Sequence, residues 1–345
     1  MFYFENSIIH KLILHQVGNK QNDEDLVLSY SALTLSENLK SLLLKYFLNP
    51  FKTEEYWQLY HDTAISLNEV YSYVSAIFAN PNTLYDQSVN LAKHLYEKTN
   101  HPKIKGGEFY TVFIKDCILE GEFVDAIGLF KSENKDTFLK VINSHDGFAL
   151  QTEKGININK LDKGCLIFNT ERDNGYVVAV VDNTNNNSEA QYWINDFLHL
   201  RQRQNEYYNT DNVLSMCKTF VTNELPQHFE VSKADQVDLL NKSVQFFKDN
   251  ENFYIDDFTE AVIQQPDIID SFKDYRSRYQ GEREIELPDS FDISESAVKK
   301  QARAFKSVIK LDKNFHIYIH GDSKLIEQGE DEKGKFYKMY FQEEM

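Results

Sequence analysis

The segment from residue 107 to residue 182 most constrains the fold, because it contains short runs rich in aromatic and β-branched residues. Turn residues separate these runs, which are GEFYTVFIKDCIL (107–119), EFVDAIGLFK (122–131), GFALQT (147–152), GCLIFN (164–169) and YVVAVVD (176–182). Such runs are typical of antiparallel strands that follow one another along the chain. The segment therefore predicts a β-meander, to which residues 7–17 and 26–28 add two further strands.

Helical periodicity lies on both sides of this segment. Ser36 is a predicted N-cap for a helix that Pro50 ends, and residues 66–79 and 83–98 have the apolar spacing of two more helices. From about residue 190 to 280 the spacing is helical again. A charged linker, GEREIELPDS (281–290), then precedes a final module with a helix over about 294–309 and strands near 315–320, 324–328 and 335–341.

The segregation of helices and strands predicts an α+β protein rather than a doubly wound parallel sheet. We expect an antiparallel sheet with flanking helices, a central helical region and a small C-terminal helix plus β-hairpin module. The predicted domains are an N-terminal α+β domain (1–189), a helical domain (190–285) and a C-terminal helix/β module (286–345).

The charge balance limits which partners the chain can bind. The 345 residues contain 37 Lys and Arg against 54 Asp and Glu, a formal net charge of −17. Phosphate contacts need clustered Lys and Arg, so binding to nucleic acid is predicted to be local, indirect or shared with a partner. The sequence contains no run of about 18 apolar residues, so no membrane span is predicted. The N-terminus lacks the features of a signal peptide. The three separated cysteines predict buried free thiols.

The sequence contains none of the common phosphate-binding, zinc-protease, acyl-transfer or calcium-binding motifs, so no cofactor and no metal site are predicted. His316 and His320 lie in an alternating segment, and on a strand they would be about 13 Å apart, too far to share one ion. One weak constellation indicates a metal-dependent nuclease. In that alternative Asp116 and Glu133, on adjacent strands, would hold Mg²⁺, and Lys135 would polarise the water or phosphate. A solvated hairpin end explains the same residues.

A basic segment near the C-terminus is the main candidate for DNA contact. The segment from residue 299 to residue 313 contains one acidic residue, Asp312, and six basic residues: Lys299, Lys300, Arg303, Lys306, Lys310 and Lys313. On a helix, four of these would form one stripe beside an apolar face, and such a stripe can lie on a phosphate backbone. It can equally pair with the acidic body or with a second subunit. Arg276 and Arg278 are further candidates for phosphate contact.

Several segments together resemble the bacterial nucleoid-associated protein family of the YejK/NdpA type. They are IIHKL (8–12), AKHLYEKTNHPKIKGGEFY (92–110), FVDAIGLFKSE (123–133), INKLDKGCLIFN (158–169), AQYWINDFL (190–198) and FKSVIKLDKNFHIYIHG (305–321). The resemblance implies a bacterial protein of the cytoplasm and nucleoid that contacts DNA or DNA-bound partners, as an oligomer. It implies no catalytic residues.

We therefore expect a non-catalytic nucleoid-associated protein that contacts DNA directly or through other nucleoid proteins, as a homo-oligomer away from membranes. Besides the nuclease, the remaining alternative is an acidic interaction protein that mimics DNA or binds basic partners and acts in phage or mobile-element response.

Overall fold

A computed structural model describes residues 2–144, 147–184, 192–304, 308–311, 313–318, 325–332 and 334–343. The chain forms two compact units, Met1–Arg203 and Gln204–Met345. The sequence predicts three domains, meaning parts of the chain that fold independently. That division stays a prediction.

The first unit is built on one antiparallel sheet. Its strands are β1 (Phe2–Tyr3), β2 (Ile8–Val17), β3 (Leu26–Val27), β4 (Trp57–Leu59), β5 (Gly107–Leu119), β6 (Glu122–Ser132), β9 (Lys163–Phe168), β10 (Val177–Asp182) and β11 (Leu200–Gln202). The order across the sheet is β11-β4-β10-β9-β6-β5-β2-β3, and β1 also pairs with β5. The helices are α1 (Glu37–Leu48), α2 (Glu69–Ala79), α3 (Leu84–Glu97) and a π-helix (Tyr192–Leu198).

A hydrophobic cluster covers each face of this sheet. Successive side chains on a strand point to opposite faces, so neighbouring residues enter different clusters. On β5, Phe109 packs in the cluster that contains residues of α2 and α3, whereas Tyr110 packs in the cluster that contains α1. Phe47 of α1 stacks on Phe130 of β6 with ring centroids 4.2 Å apart. The Ser36 side chain caps α1, as its sequence predicts.

The strands β7 (Asp136–Ser144) and β8 (Gly147–Gly155) form a two-stranded hairpin that is separate from the large sheet. We call these two strands the arm. The sequence predicted part of β8 but not β7. None of the described side chains of the arm is buried, so its apolar residues do not stabilise the core of the unit.

The second unit is mainly helical. Its helices are α4 (Glu206–Thr219), α5 (Leu225–His228), α6 (Lys233–Asp249), α7 (Ile255–Phe258), α8 (Pro266–Arg283) and α9 (Glu295–Ala304), and its strands are β12 (Asn252–Tyr254), β13 (Ser290–Asp292), β14 (Val308–Leu311), β15 (Phe315–Tyr318), β16 (Ile326–Asp331) and β17 (Gly334–Met339). A cluster of aromatic side chains, including Phe247, Phe253 and Phe258, forms its core. Ser232 caps α6 with a capping box, as predicted.

One prediction for the C-terminal module is wrong. The predicted helix over 294–309 ends at Ala304, and β14 begins at Val308. The β-branched residues Val308 and Ile309 favour an extended backbone. They pair with Tyr318 and Ile317 of β15, and Ile309 is buried in a cluster with Val237.

The predicted α+β class is confirmed by the antiparallel sheet, its flanking helices and the C-terminal hairpins. The prediction of buried free thiols is also confirmed, for Cys117, Cys165 and Cys217. Among the described residues, no helix is both long enough and apolar enough to cross a bilayer.

Candidate nucleic-acid interface

A cleft of about 1160 Å³ lies at one end of the large sheet, where β6 ends and β9 begins. Its walls come from the end of α1, the segment before β5, the connection between β6 and β7, the segment after β8 and the end of β10. The cleft is lined by three carboxylates, Glu133, Asp136 and Asp162, and by seven lysines: Lys45, Lys52, Lys103, Lys105, Lys135, Lys160 and Lys163. These groups sum to a formal charge of +4 in a chain of net charge −17.

A buried lysine lies behind the cleft wall. The side chain of Lys131 is fully buried, and its Nζ donates to Glu133 Oε1 at 3.0 Å, to the Tyr192 hydroxyl at 3.0 Å and to the Lys105 carbonyl at 2.6 Å. The Tyr192 hydroxyl in turn donates to Glu133 Oε1 at 2.7 Å. All three donor positions of this ammonium therefore have partners.

A second lysine is held beside it. Lys163 is the cross-strand partner of Lys131 and also of Asp182, and its Nζ donates to both Asp182 carboxylate oxygens at 2.7 and 2.8 Å. Both ammonium groups approach the ring of Tyr192, Lys131 at 5.4 Å and Lys163 at 5.2 Å from its centroid. The negative ring face adds an attraction for each cation.

Burial shifts the pKa values of two groups in this cluster, Lys131 and Tyr192. It lowers the pKa of Lys131, and the charge of Glu133 opposes that effect. Burial also raises the pKa of Tyr192 well above its usual value, and Glu133 adds to the rise. The tyrosine therefore stays a neutral donor, and perturbed groups at a cleft wall are typical of functional sites.

The carboxylates that line the cleft are occupied by protein donors. Asp162 accepts the backbone N–H groups of Glu133 and Asn134, at 2.6 and 2.9 Å. Asp136 accepts from Asn157 at 2.7 Å. At the rim, Lys45 and Lys52 are exposed, and no ion pair joins either to another residue of the described ranges. The rim therefore offers cationic donors to a ligand that carries several negative charges, such as a phosphate backbone.

The structure does not bring together Asp116, Glu133 and Lys135, the three residues of the nuclease alternative. Glu133 and Lys135 lie at the cleft, but Asp116 lies eight residues beyond Glu108, the residue that pairs with Ser132. That places Asp116 about 25 Å away along the strands. Asp116 sits at a β-bulge with φ of 57°, and Lys135 pairs with Glu108 at 2.5 Å. Among the described residues, no group of acids, histidines and cysteines could hold a metal ion.

The predicted C-terminal contact residues do not form one helical stripe. Lys299, Lys300 and Arg303 lie on α9, Lys310 lies on β14, and Lys313 is exposed before β15. Lys306 and His320 lie outside the described residues. Lys299 pairs with Glu295 at 3.0 Å, and Lys300 lies 3.7 Å from Asp211.

The two predicted arginines are engaged within the second unit. Arg276 donates to Asp289 at 2.6 Å and to the Leu287 carbonyl at 2.6 Å. Arg278 pairs with Glu224 and lies over the ring of Tyr275. Both side chains therefore contribute to local packing.

Sequence reasoning missed the lysine cleft, because its lysines are scattered between residues 45 and 163 and become neighbours only through strand register. One signal was available. Three segments that carry the family resemblance, 92–110, 123–133 and 158–169, each begin or end a strand at this end of the sheet. The first and third supply Lys103, Lys105, Lys160 and Lys163 to the cleft, and the second supplies Glu133.

Comparison with known proteins agrees with that resemblance. Residues 13–334 match the family model described as nucleoid-associated protein YejK. A search of curated proteins gave no match.

Proposed function

Because this chain belongs to the nucleoid-associated protein YejK family, we propose that it contacts DNA through the phosphate backbone, at the lysine cleft of its first unit. The observation that supports this proposal is the charge of the cleft, which is positive in an otherwise acidic chain. The cleft is also larger than the roughly 300–1,000 Å³ typical of small-molecule sites, which favours an extended ligand.

The proposed contact is weak, local and independent of base sequence. Lysines act as point charges on phosphates and read no base edges. The acidic remainder of the chain repels the duplex, so binding weakens steeply as salt rises. The protein acts without catalysis, as a homo-oligomer in the bacterial cytoplasm and nucleoid, and reaches DNA directly or with other nucleoid proteins.

The residues predicted near the C-terminus form a second proposed contact. Lys299, Arg303 and Lys313 are exposed. Their part is smaller in this proposal, because Glu295 and Asp211 already partner two of the lysines on α9.

Fluorescence anisotropy of the full chain with a labelled duplex, at several salt concentrations, tests the cleft. The variant Lys45→Glu/Lys52→Glu removes two rim cations. The matched control Lys93→Glu/Lys115→Glu makes the same change in charge at exposed lysines outside the cleft. We expect the cleft variant to lose affinity and about two units of the slope of log K against log salt. Equal losses of affinity in both variants would show that net charge alone causes the effect, and would exclude the cleft as the contact.

A further inference from the structure

The arm presents one apolar face to solvent. In its register, Val141 lies opposite Leu150, with Leu139 and Phe148 two residues away on the same face. Their exposed fractions are 71% for Leu139, 63% for Val141, 81% for Phe148 and 69% for Leu150. Large apolar side chains this exposed and contiguous mark an interaction surface.

The arm lacks a buried core, because none of its described side chains is buried. It pairs with no strand of the large sheet, and a lone two-stranded hairpin is at best marginally stable in water. Packing of its apolar face against a partner would supply the missing burial.

The charge of the arm indicates what that partner is. Its described strands carry Asp136, Lys140, Glu153 and Lys154, which sum to zero, and Lys140 pairs with Glu153 at 2.9 Å. A neutral apolar face has no attraction for a phosphate backbone. In a chain of net charge −17, it is also a place where two copies can meet without direct repulsion.

We infer that two copies of this chain associate through their arms, with the same apolar face packed on itself about a twofold axis. This inference names the surface of the proposed homo-oligomer and does not require DNA contact. The four side chains offer about 400 Å² of apolar surface per arm, so two arms bury about 800 Å² before their rims are counted. That lies below the standard size of about 1,200–2,000 Å², so the dimer is reversible and depends on concentration.

Light scattering and sedimentation of the full chain without DNA, over a wide range of concentration, test the inference. We expect the mass to rise from one chain toward two, and Phe148→Thr to shift this transition at least tenfold to higher concentration. The matched control is Phe123→Thr, because Phe123 is 68% exposed on β6, outside the arm. Phe148→Leu retains an apolar side chain and should keep the dimer, which separates loss of contact from loss of the arm.

Salt distinguishes this association from the DNA contact. Added salt screens the repulsion between two acidic chains and strengthens an apolar contact, whereas it weakens phosphate binding. A chain that stays single at every concentration would overturn the inference and leave the arm to a different protein. A dimer that Phe148→Thr leaves unchanged would overturn it as well.

Discussion

Lys131 and Lys163 lie directly opposite each other on β6 and β9, with the ring of Tyr192 within 5.4 Å of both ammonium nitrogens. Like charges at opposed positions destabilise a sheet. Here Glu133 and Asp182 each neutralise one lysine. The pair holds the end of the sheet, and therefore the wall of the cleft, in one arrangement.

The first prediction concerns this buried pair. Lys131→Met removes the cation and leaves Glu133 buried, so we expect the free energy of unfolding of the first unit to fall by about 3 kcal/mol. Tryptophan fluorescence in urea measures this unit alone, because Trp57 and Trp193 both lie in it.

A double variant provides the control. Lys131→Met/Glu133→Gln removes both charges, and we expect it to recover part of the lost stability. If the double variant were as unstable as the sum of both single variants, charge pairing would not be the cause.

The second prediction is a pH dependence centred on His15. Its Nδ1 accepts the Ser29 N–H at 3.2 Å, its Nε2 lies 3.0 Å from Ser88 Oγ, and burial lowers its pKa to about 4. Between pH 6.5 and pH 4, His15 is protonated in the unfolded chain but neutral in the folded chain. Stability is therefore lost as pH falls from 6.5 toward 4, by about 3 kcal/mol for this group.

Urea unfolding at a series of pH values measures this effect. The pKa of buried His94 is also lowered, so it adds a slope of the same sign. We expect His15→Gln to reduce the slope without removing it. A slope unchanged in His15→Gln would contradict the assignment to His15.

The third prediction separates a structural from a metal-binding role of Asp116. Its φ of 57° lies in the left-handed region, so Asp116→Gly should keep or raise stability, whereas Asp116→Val should lower it by about 1–2 kcal/mol. Thermal unfolding with and without Mg²⁺ tests both points. We expect no shift with Mg²⁺, and a clear stabilisation that Asp116→Gly abolishes would restore the metal hypothesis.

The fourth prediction compares the two proposed DNA contacts. Lys299→Glu/Arg303→Glu/Lys313→Glu reverses three exposed charges, yet we expect a smaller loss of salt slope than for Lys45→Glu/Lys52→Glu. The reason is that Glu295 on α9 and Asp211 on α4 already lie beside two of the lysines of α9. Anisotropy titrations of both variants against one duplex decide the ranking, and a larger loss in the C-terminal variant would reverse it.

Much of the fold could be predicted from local pattern. Ser36, Ser232 and the aromatic and β-branched runs 107–119 and 122–131 specify their elements through neighbours in sequence, and the structure confirms them. The helix over 294–309 failed because apolar spacing of three and four residues also fits a helix end followed by a strand. Only the pairing of β14 with β15 distinguishes the two.

The candidate site could not be predicted in the same way. Lys45, Lys105 and Lys160 meet because α1, the start of β5 and the segment after β8 converge at one end of the sheet. That convergence depends on register between strands far apart in sequence, which local periodicity does not encode. The nuclease alternative did not anticipate the separation of Asp116 and Glu133 for the same reason, since two adjacent strands can hold two residues at opposite ends of the sheet.

The base of the arm adjoins the cleft, because Asp136 of β7 and Asn157, two residues after β8, both line it. Two chains joined at their arms would thus present two lysine clefts in one dimer. The second cleft would bind its DNA segment at high effective concentration, so two weak sites would act with avidity. A duplex too short to reach both clefts would bind weakly, and a longer one tightly, so the length of the DNA would become a determinant of affinity.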